Sequence, residues 1–134
     1  MFRLLKRTFT EIYKTKNKLP LLADYSKYVY KYSPSRLGPN EYPMILPDWD
    51  NTPRSGQTGR TFQGSTPELF IQLCLKAFSA TENKSKDEKI VMVKSWNEWA
   101  EGNYMEPDQK NGYAYLLAFK EALLSYNSTH KLIG

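Results

Sequence analysis

The chain has 134 residues, the usual size of one domain, and its 40% hydrophobic content is enough to form a core. Its net charge of +5 comes from scattered lysines and arginines that form no stripe interleaved with aromatic residues, so we expect no nucleic-acid partner. No apolar run approaches the ~18 residues of a membrane span, and one cysteine and one histidine offer no metal-ligand spacing, so we expect no span, metal or other cofactor.

The first elements in chain order carry weak signals. Residues 1–19 are basic and weakly periodic, which predicts a short helix or an irregular entry. Residues 21–32 place leucine, valine and tyrosine at helical spacing and predict a helix. Residues 33–40 contain two prolines and a glycine and are typical of a loop. We group residues 1–40 as a helical, basic N-terminal segment.

A strand, a long loop and a helix follow. Residues 43–47 predict a short strand that is closed by a proline. Residues 48–64 have three glycines and no apolar periodicity, which predicts a long loop. Thr66-Pro67-Glu68 combines an N-cap, a proline at the first helical position and an acid in the first turn. We therefore predict a helix from residue 67 to about residue 80.

The last third repeats this order. Residues 89–94 predict a second strand, and an apolar stripe from Tyr113 to Tyr126 predicts a final helix. Strands that alternate with helices imply an α/β fold, with parallel strands joined by right-handed β-α-β crossovers. We divide the single domain of residues 1–134 into the N-terminal segment, strand-helix units at 41–126 and a tail at 127–134.

Two polar loops follow the two predicted strands and should open on one edge of the sheet, where ligands bind. The first loop begins with Asp48-Trp49-Asp50-Asn51-Thr52-Pro53-Arg54, and the second begins with Ser95-Trp96-Asn97-Glu98-Trp99-Ala100-Glu101-Gly102. Acids and indoles at the end of a buried strand are one way to build a sugar site, because aromatic faces stack on sugar rings. The alternative is that Trp96 and Trp99 are core residues and the acids are solvated loop charges. The first loop is then an ordinary turn, in which Arg54 only pairs with Asp50.

The spacing of the two glutamates favours the first interpretation. In an extended strand the acids of Glu98 and Glu101 would lie ~10 Å apart on opposite faces, but in a tight turn they share a face at ~5–6 Å between Cβ atoms. Gly102 provides the backbone freedom that such a turn needs. Paired glycosidase carboxylates lie roughly 5–9.5 Å apart, so we select these two acids as the candidate catalytic pair. The candidate substrate-binding residues are Trp49, Asp50, Asn51, Arg54, Trp96, Asn97, Trp99, Tyr104 and Glu106.

These motifs, together with Tyr104-Met105-Glu106-Pro107-Asp108 and Gly112-Tyr113-Ala114-Tyr115-Leu116, resemble the C-terminal part of WbsX-type glycosyltransferases of bacterial O-antigen and surface polysaccharide synthesis. That group is related to glycoside hydrolase family 99. The resemblance covers roughly residues 40–125. It implies a cytoplasmic bacterial protein, a mannose-like carbohydrate substrate and the last strands of a (β/α)8 TIM barrel, with the loops on the catalytic face.

Family 99 contains retaining, endo-acting α-mannosidases with an Asn-Glu-x-x-Glu-Gly pattern. The resemblance implies that Glu98 removes the proton of the sugar 2-hydroxyl, so that O2 attacks C1 and forms a 1,2-anhydro intermediate. Glu101 is then the general acid for the leaving oxygen, and afterwards the base for water or an acceptor. Ala100 occupies the position at which family 99 has a histidine. The resemblance implies that WbsX relatives also have alanine there.

A complete barrel needs about 250 residues, so this chain can hold only a partial barrel. We expect either a fragment, which we favour, or a chain that is completed by a partner supplying the N-terminal half of the barrel. Three functions follow from the sequence: an enzyme fragment for glycosyl transfer or hydrolysis, inactive when isolated; a carbohydrate-binding module that uses the tryptophans; and a structural remnant without a site.

Overall fold

The computed structural model describes residues 19–33, 37–38 and 40–131, so the expectation for residues 1–18 lies outside the described part of the chain. The helices and strands, in chain order, are β1 Leu21–Asp24, α1 Tyr25–Lys31, β2 Met44–Ile45, α2 Thr52–Ser55, β3 Arg60–Gln63, α3 Pro67–Ser79, β4 Met92–Val93, β5 Asn97–Glu98, β6 Asn103–Tyr104 and α4 Ala114–Lys131. Short 3-10 turns lie at Gly56–Thr58, Lys86–Glu88 and Trp99–Glu101.

The strands form three separate pairs. β1 pairs in parallel with β3, β2 pairs in parallel with β4, and β5 pairs antiparallel with β6. In the second pair Met44 lies opposite Met92 and Ile45 opposite Val93. The prediction that the strands near residues 43–46 and 89–94 run parallel, with α3 between them in the chain, is therefore confirmed. The fold is mixed α/β with short parallel pairs.

The core lies where α3 packs on α4 and on the β2–β4 pair. α3 begins as predicted, because the Thr66 side chain accepts a hydrogen bond from the backbone N–H of Leu69 and Pro67 occupies the first turn. The fully buried core residues of this region are Ile45, Phe70, Leu73, Cys74, Ala77 and Ala122. Small residues on both helices allow a close approach, and each large apolar side chain contributes about 1.5–3 kcal/mol on burial.

The predicted helix at residues 21–32 is wrong in its first turn. Leu21–Asp24 is a strand, and the helix occupies only Tyr25–Lys31. The Leu21 N–H donates to the Gly59 carbonyl oxygen at 2.8 Å, and the Asp24 side chain caps the helix by accepting from the Lys27 N–H at 3.1 Å. The helical spacing is real, but pairing with β3 and an aspartate cap move the helix start by four residues.

The predicted loop at residues 48–64 is also wrong in part, because it contains α2, a 3-10 turn and β3. These short elements depend on contacts that no periodicity reveals. The Asn51 side-chain oxygen accepts from the Arg60 N–H at 2.6 Å, and the Phe62 N–H donates to the Trp49 carbonyl oxygen at 2.7 Å. Backbone pairing across the segment, together with pairing to β1, therefore replaces the irregular loop.

Two further differences lie near the C-terminus. The final helix runs to Lys131, so the first five residues of the expected tail at 127–134 are helical. β5 and β6 form an antiparallel hairpin that the sequence did not predict, because each strand has only two residues.

One face of the β2–β4 pair is exposed. Met44 and Met92, which face each other across the strands, are 40% and 53% exposed, whereas the adjacent Ile45 is fully buried against the helices. Parallel sheets are usually covered on both faces, so this apolar face is unusual. None of the helices in the described part of the chain is long and apolar enough to cross a membrane.

Candidate functional site

The two candidate acids lie in the β5–β6 hairpin. Glu98 ends β5, and Glu101 ends the 3-10 turn that follows it. The segment is therefore curled rather than extended, as the sequence predicted. Gly102 closes the turn in the left-handed region, with φ 58° and ψ 19°. A Cβ atom there would lie 3.4 Å from the backbone nitrogen of Asp50, so the glycine also allows the first loop to approach closely.

Glu101 joins the hairpin to the first loop. Its carbonyl oxygen accepts a hydrogen bond from the Asp50 N–H at 2.7 Å, and its carboxylate pairs with the Arg54 guanidinium at 3.1 Å. The Arg54 side chain is 64% exposed, so the ion pair contributes only about 0.2–1 kcal/mol. Together these contacts bring the two loops to the same edge. Arg54 pairs with the second loop and not, as the simple-turn interpretation suggested, with Asp50.

The acceptor groups of the first loop are used within the loop. One carboxylate oxygen of Asp50 accepts from the N–H of Thr52 at 2.9 Å and from its hydroxyl at 2.6 Å. The Asn51 side-chain oxygen accepts from the Arg60 N–H. Asp50 and Asn51 therefore hold α2 and β3 in place. The second carboxylate oxygen of Asp50 accepts neither of the two hydrogen bonds from Thr52.

Trp99 is fixed in orientation and still accessible. Its ring stacks on Tyr104, with centroids 3.8 Å apart and planes inclined by 14°, and its indole N–H donates to the Glu106 carboxylate at 2.7 Å. The side chain nevertheless remains 49% exposed. Two of the predicted substrate-binding residues, Trp99 and Tyr104, thus form one aromatic platform, and a third, Glu106, fixes its orientation.

The other two tryptophans lie in the same two loops. Trp96, just before β5, is also 49% exposed. Trp49 is half-buried, and the ammonium of Lys94 lies 4.9 Å from its ring centroid. Neither Trp96 nor Trp99 is a core residue, which removes the core interpretation for these two indoles.

The hairpin register separates Asn97 from Glu98. Directly opposed residues of an antiparallel pair share a face, so Glu98 lies on the face of Asn103, and Asn97 lies with Tyr104 on the other face. Asn97 is exposed, whereas Asn103 is fully buried. Asn97, one of the predicted substrate-binding residues, therefore lies on the face away from Glu98, and Asn103 lies opposite Glu98.

Sequence reasoning also missed Asp48, which follows β2 after Leu46 and Pro47. Burial raises the pKa of its carboxyl, and the neighbouring Asp50 raises it further, while a hydrogen bond from the Trp49 N–H and the charge of Lys110 oppose the shift. A carboxyl group with a raised pKa is a common feature of functional sites. Its position directly after the predicted strand was the signal that could have identified it.

Two tyrosines complete this edge. The Tyr115 hydroxyl lies 2.8 Å from the Ser65 hydroxyl, which donates to the Pro47 carbonyl oxygen, so Tyr115 is the donor in that pair. Burial raises the pKa of Tyr115 and of Tyr104, and nearby carboxylates add to both effects. The two loops and their neighbours therefore present carboxylates, phenolic hydroxyls, indole rings, the Arg54 guanidinium and the Lys94 ammonium, which can donate hydrogen bonds to hydroxyl groups and accept hydrogen bonds from them.

Comparison with known proteins identifies relatives and a family. Two curated relatives, uncharacterized proteins WxcX from two strains of Xanthomonas campestris pv. campestris, are each 36% identical over 83 residues, which is 61% of this chain and 12% of the relative. The matched segment thus spans about an eighth of the relatives' length. No solved structure matches the chain. The sequence model of one family, Glycosyltransferase WbsX, matches residues 2–119, and the chain therefore belongs to the WbsX glycosyltransferase family.

Proposed function

We propose that this chain forms part of the sugar site of a glycosyl-transferring or glycoside-hydrolysing enzyme of bacterial surface polysaccharide synthesis. The observation that carries the proposal is the junction at Glu101. Its contacts with Asp50 and Arg54 bring two loops from different strands to one edge, together with a second carboxylate, Glu98. The membership of the chain in a glycosyltransferase family supports a role in sugar chemistry for these carboxylates.

The proposed reaction follows the resemblance to family 99, in which a mannose-like sugar is attacked by its own 2-hydroxyl. Glu98 accepts the O2 proton, O2 forms a bond to C1, and the bond from C1 to the leaving oxygen breaks. Glu101 gives its proton to that oxygen. Glu101 then takes a proton from water or from an acceptor hydroxyl, and the oxygen of that group bonds to C1 as the C1–O2 bond breaks. The configuration at C1 is retained, and Glu98 returns its proton to O2.

This scheme requires two protonation states at one edge. Glu98 has no hydrogen-bond or ion-pair partner among the described residues, so its carboxylate is available to a hydroxyl. Glu101 is held by Arg54, which complements an ionised carboxylate. Glu101 can act as the acid only after Arg54 releases it, and the exposed arginine side chain is free to move toward solvent or toward a bound sugar.

The aromatic residues supply the binding surface. The Trp99 ring is fixed by Tyr104 and Glu106, so little side-chain entropy is lost when a sugar stacks on it. Trp96 offers a second exposed indole on the same hairpin. These rigid platforms also favour a second candidate function, a carbohydrate-binding unit without turnover.

We further propose that the β2–β4 pair is part of a (β/α)8 barrel. The exposed face with Met44 and Met92 lies opposite the face that the helices cover, where a barrel would place its interior. Further strands, from a longer chain or from a partner, would bury these methionines and complete the sugar subsites.

Intrinsic fluorescence tests the proposed site without requiring turnover. All three tryptophans of the chain, Trp49, Trp96 and Trp99, belong to the candidate site, so tryptophan emission, excited selectively over that of the ten tyrosines, has no contribution from elsewhere. An α-mannosyl oligosaccharide should change the emission saturably, and Trp99→Phe should weaken that binding. Tyr113→Phe, at an exposed tyrosine outside the hairpin, is the matched control and should bind as the unmodified chain does. No response to any of a panel of oligosaccharides would contradict the proposal.

A further inference from the structure

Asn103 is buried in a way that its own surroundings do not explain. The residue has no exposed surface, yet neither its amide nitrogen nor its amide oxygen has a hydrogen-bond partner among the described residues. Unpaired buried polar groups lower stability, and native proteins keep few of them. A leucine of similar size would fill the same space without this cost, which indicates that the amide has a task.

The hairpin register gives the amide one neighbour of suitable chemistry. Asn103 lies directly opposite Glu98, and such pairs place their Cβ atoms about 4.5–5.5 Å apart on the same face. The next residue on that face of β6, Met105, is buried and apolar. An amide N–H donates and a carboxylate accepts, so the two opposed side chains are chemically complementary.

Neither side chain has a hydrogen-bond partner among the described residues. We propose that Asn103 is a positioning residue for Glu98: a rotation of the side chains lets the Asn103 amide donate a hydrogen bond to the Glu98 carboxylate and aim it at the sugar. The aiming rests on the proposed function of Glu98, whereas the pairing itself does not. This pairing explains why the hairpin buries the amide of Asn103 beside the half-exposed carboxylate of Glu98.

Nuclear magnetic resonance of the full 134-residue chain tests the pairing. Glu98→Gln replaces a charged acceptor with a neutral one and should move the side-chain NH2 signals of Asn103. The matched control is Glu106→Gln, which removes a carboxylate bonded to Trp99. It should move the Trp99 indole signal and leave the Asn103 signals in place. If the Asn103 side-chain signals do not move in the Glu98→Gln variant, the proposal is overturned.

Exchange of the two groups provides a rescue test. Asn103→Asp opposes two carboxylates and should lower the thermal midpoint. Adding Glu98→Gln restores one amide and one carboxylate and should recover roughly 4 °C, the effect of a charged hydrogen bond in a chain of this size. If the side chain of residue 103 does not meet that of residue 98, the buried aspartate costs as much in the double variant as it does beside the native Glu98, and the proposal fails. Should neither aspartate variant fold, the NH2 shift in Glu98→Gln decides.

Sugar addition separates this inference from the proposed function. If the Asn103 signals respond to Glu98→Gln but no mannoside changes the spectrum, the pairing stands and the sugar site fails. If a mannoside binds but the Asn103 signals do not move in Glu98→Gln, the sugar site stands and the positioning role fails.

Discussion

Gly102 tests the geometry of the hairpin most sharply, because its backbone lies in the left-handed region at φ 58°. An alanine there carries a Cβ that clashes with the following carbonyl oxygen, at a cost of about 1–2 kcal/mol. The same Cβ would also lie 3.4 Å from the Asp50 backbone nitrogen and from its Cβ, which is contact without severe overlap. We therefore expect Gly102→Ala to reduce the free energy of unfolding by about 1–2 kcal/mol and the thermal midpoint by roughly 4–8 °C.

Gly112→Ala is the matched control. Gly112 has φ 56°, so it imposes the same backbone strain, but nothing lies within 4 Å of its added Cβ. Denaturant unfolding should give similar losses for both variants. Only Gly102→Ala should shift the amide resonance of Asp50, whose N–H bonds to Glu101 beside the glycine. A Gly102→Ala protein as stable as the unmodified chain would refute the left-handed turn, and an unmoved Asp50 resonance would refute the contact between the loops.

Three further predictions concern catalysis, pH and the thiol. In a longer WbsX-family enzyme that carries this hairpin, Glu98→Gln and Glu101→Gln should each reduce turnover by at least ~10²-fold with binding retained. The isolated chain should show little turnover. Full activity in either variant of the longer enzyme would contradict the mechanism. Hydrogen bonds from the first turn of its helix lower the pKa of Asp24 to about 2, so its stabilisation is present above the unfolded value of ~3.9 and is lost as the pH falls toward 2. Thermal midpoints should show that Asp24→Asn keeps the cap and removes this dependence. Burial raises the pKa of Cys74 to about 12, so a thiol reagent at neutral pH should modify it only as fast as the chain opens; rapid reaction of the folded chain would show that the core is not closed.

The elements that sequence predicted correctly are those with local signals. Thr66-Pro67-Glu68 marked the start of α3, and apolar runs marked the strands of the parallel pair. Sequence reasoning did not predict β1, β3 or the β5–β6 hairpin. The stability of β1 and β3 comes from pairing between distant residues and from side-chain hydrogen bonds, such as the one that Asn51 accepts from the Arg60 N–H. Two to four residues contain too little periodicity to reveal such pairing.

The candidate site was partly predictable for the same reason. Chain order predicted that both loops follow parallel strands, and the contacts of Glu101 with Asp50 and Arg54 are consistent with one shared edge. Asn103 and Asp48 were missed, because their importance depends on burial and on register rather than on a motif. The roles of all these residues in binding or catalysis remain predictions.

The indole N–H signals of the three tryptophans test the central claim most directly. They report on both loops at once, because Trp49 belongs to the first loop and Trp96 and Trp99 to the second. On titration of the chain with an α-mannosyl oligosaccharide, we predict that signals from both loops shift along one saturable curve with a single dissociation constant. Signals that do not shift, or that shift in one loop only, would contradict a single sugar site built from both loops.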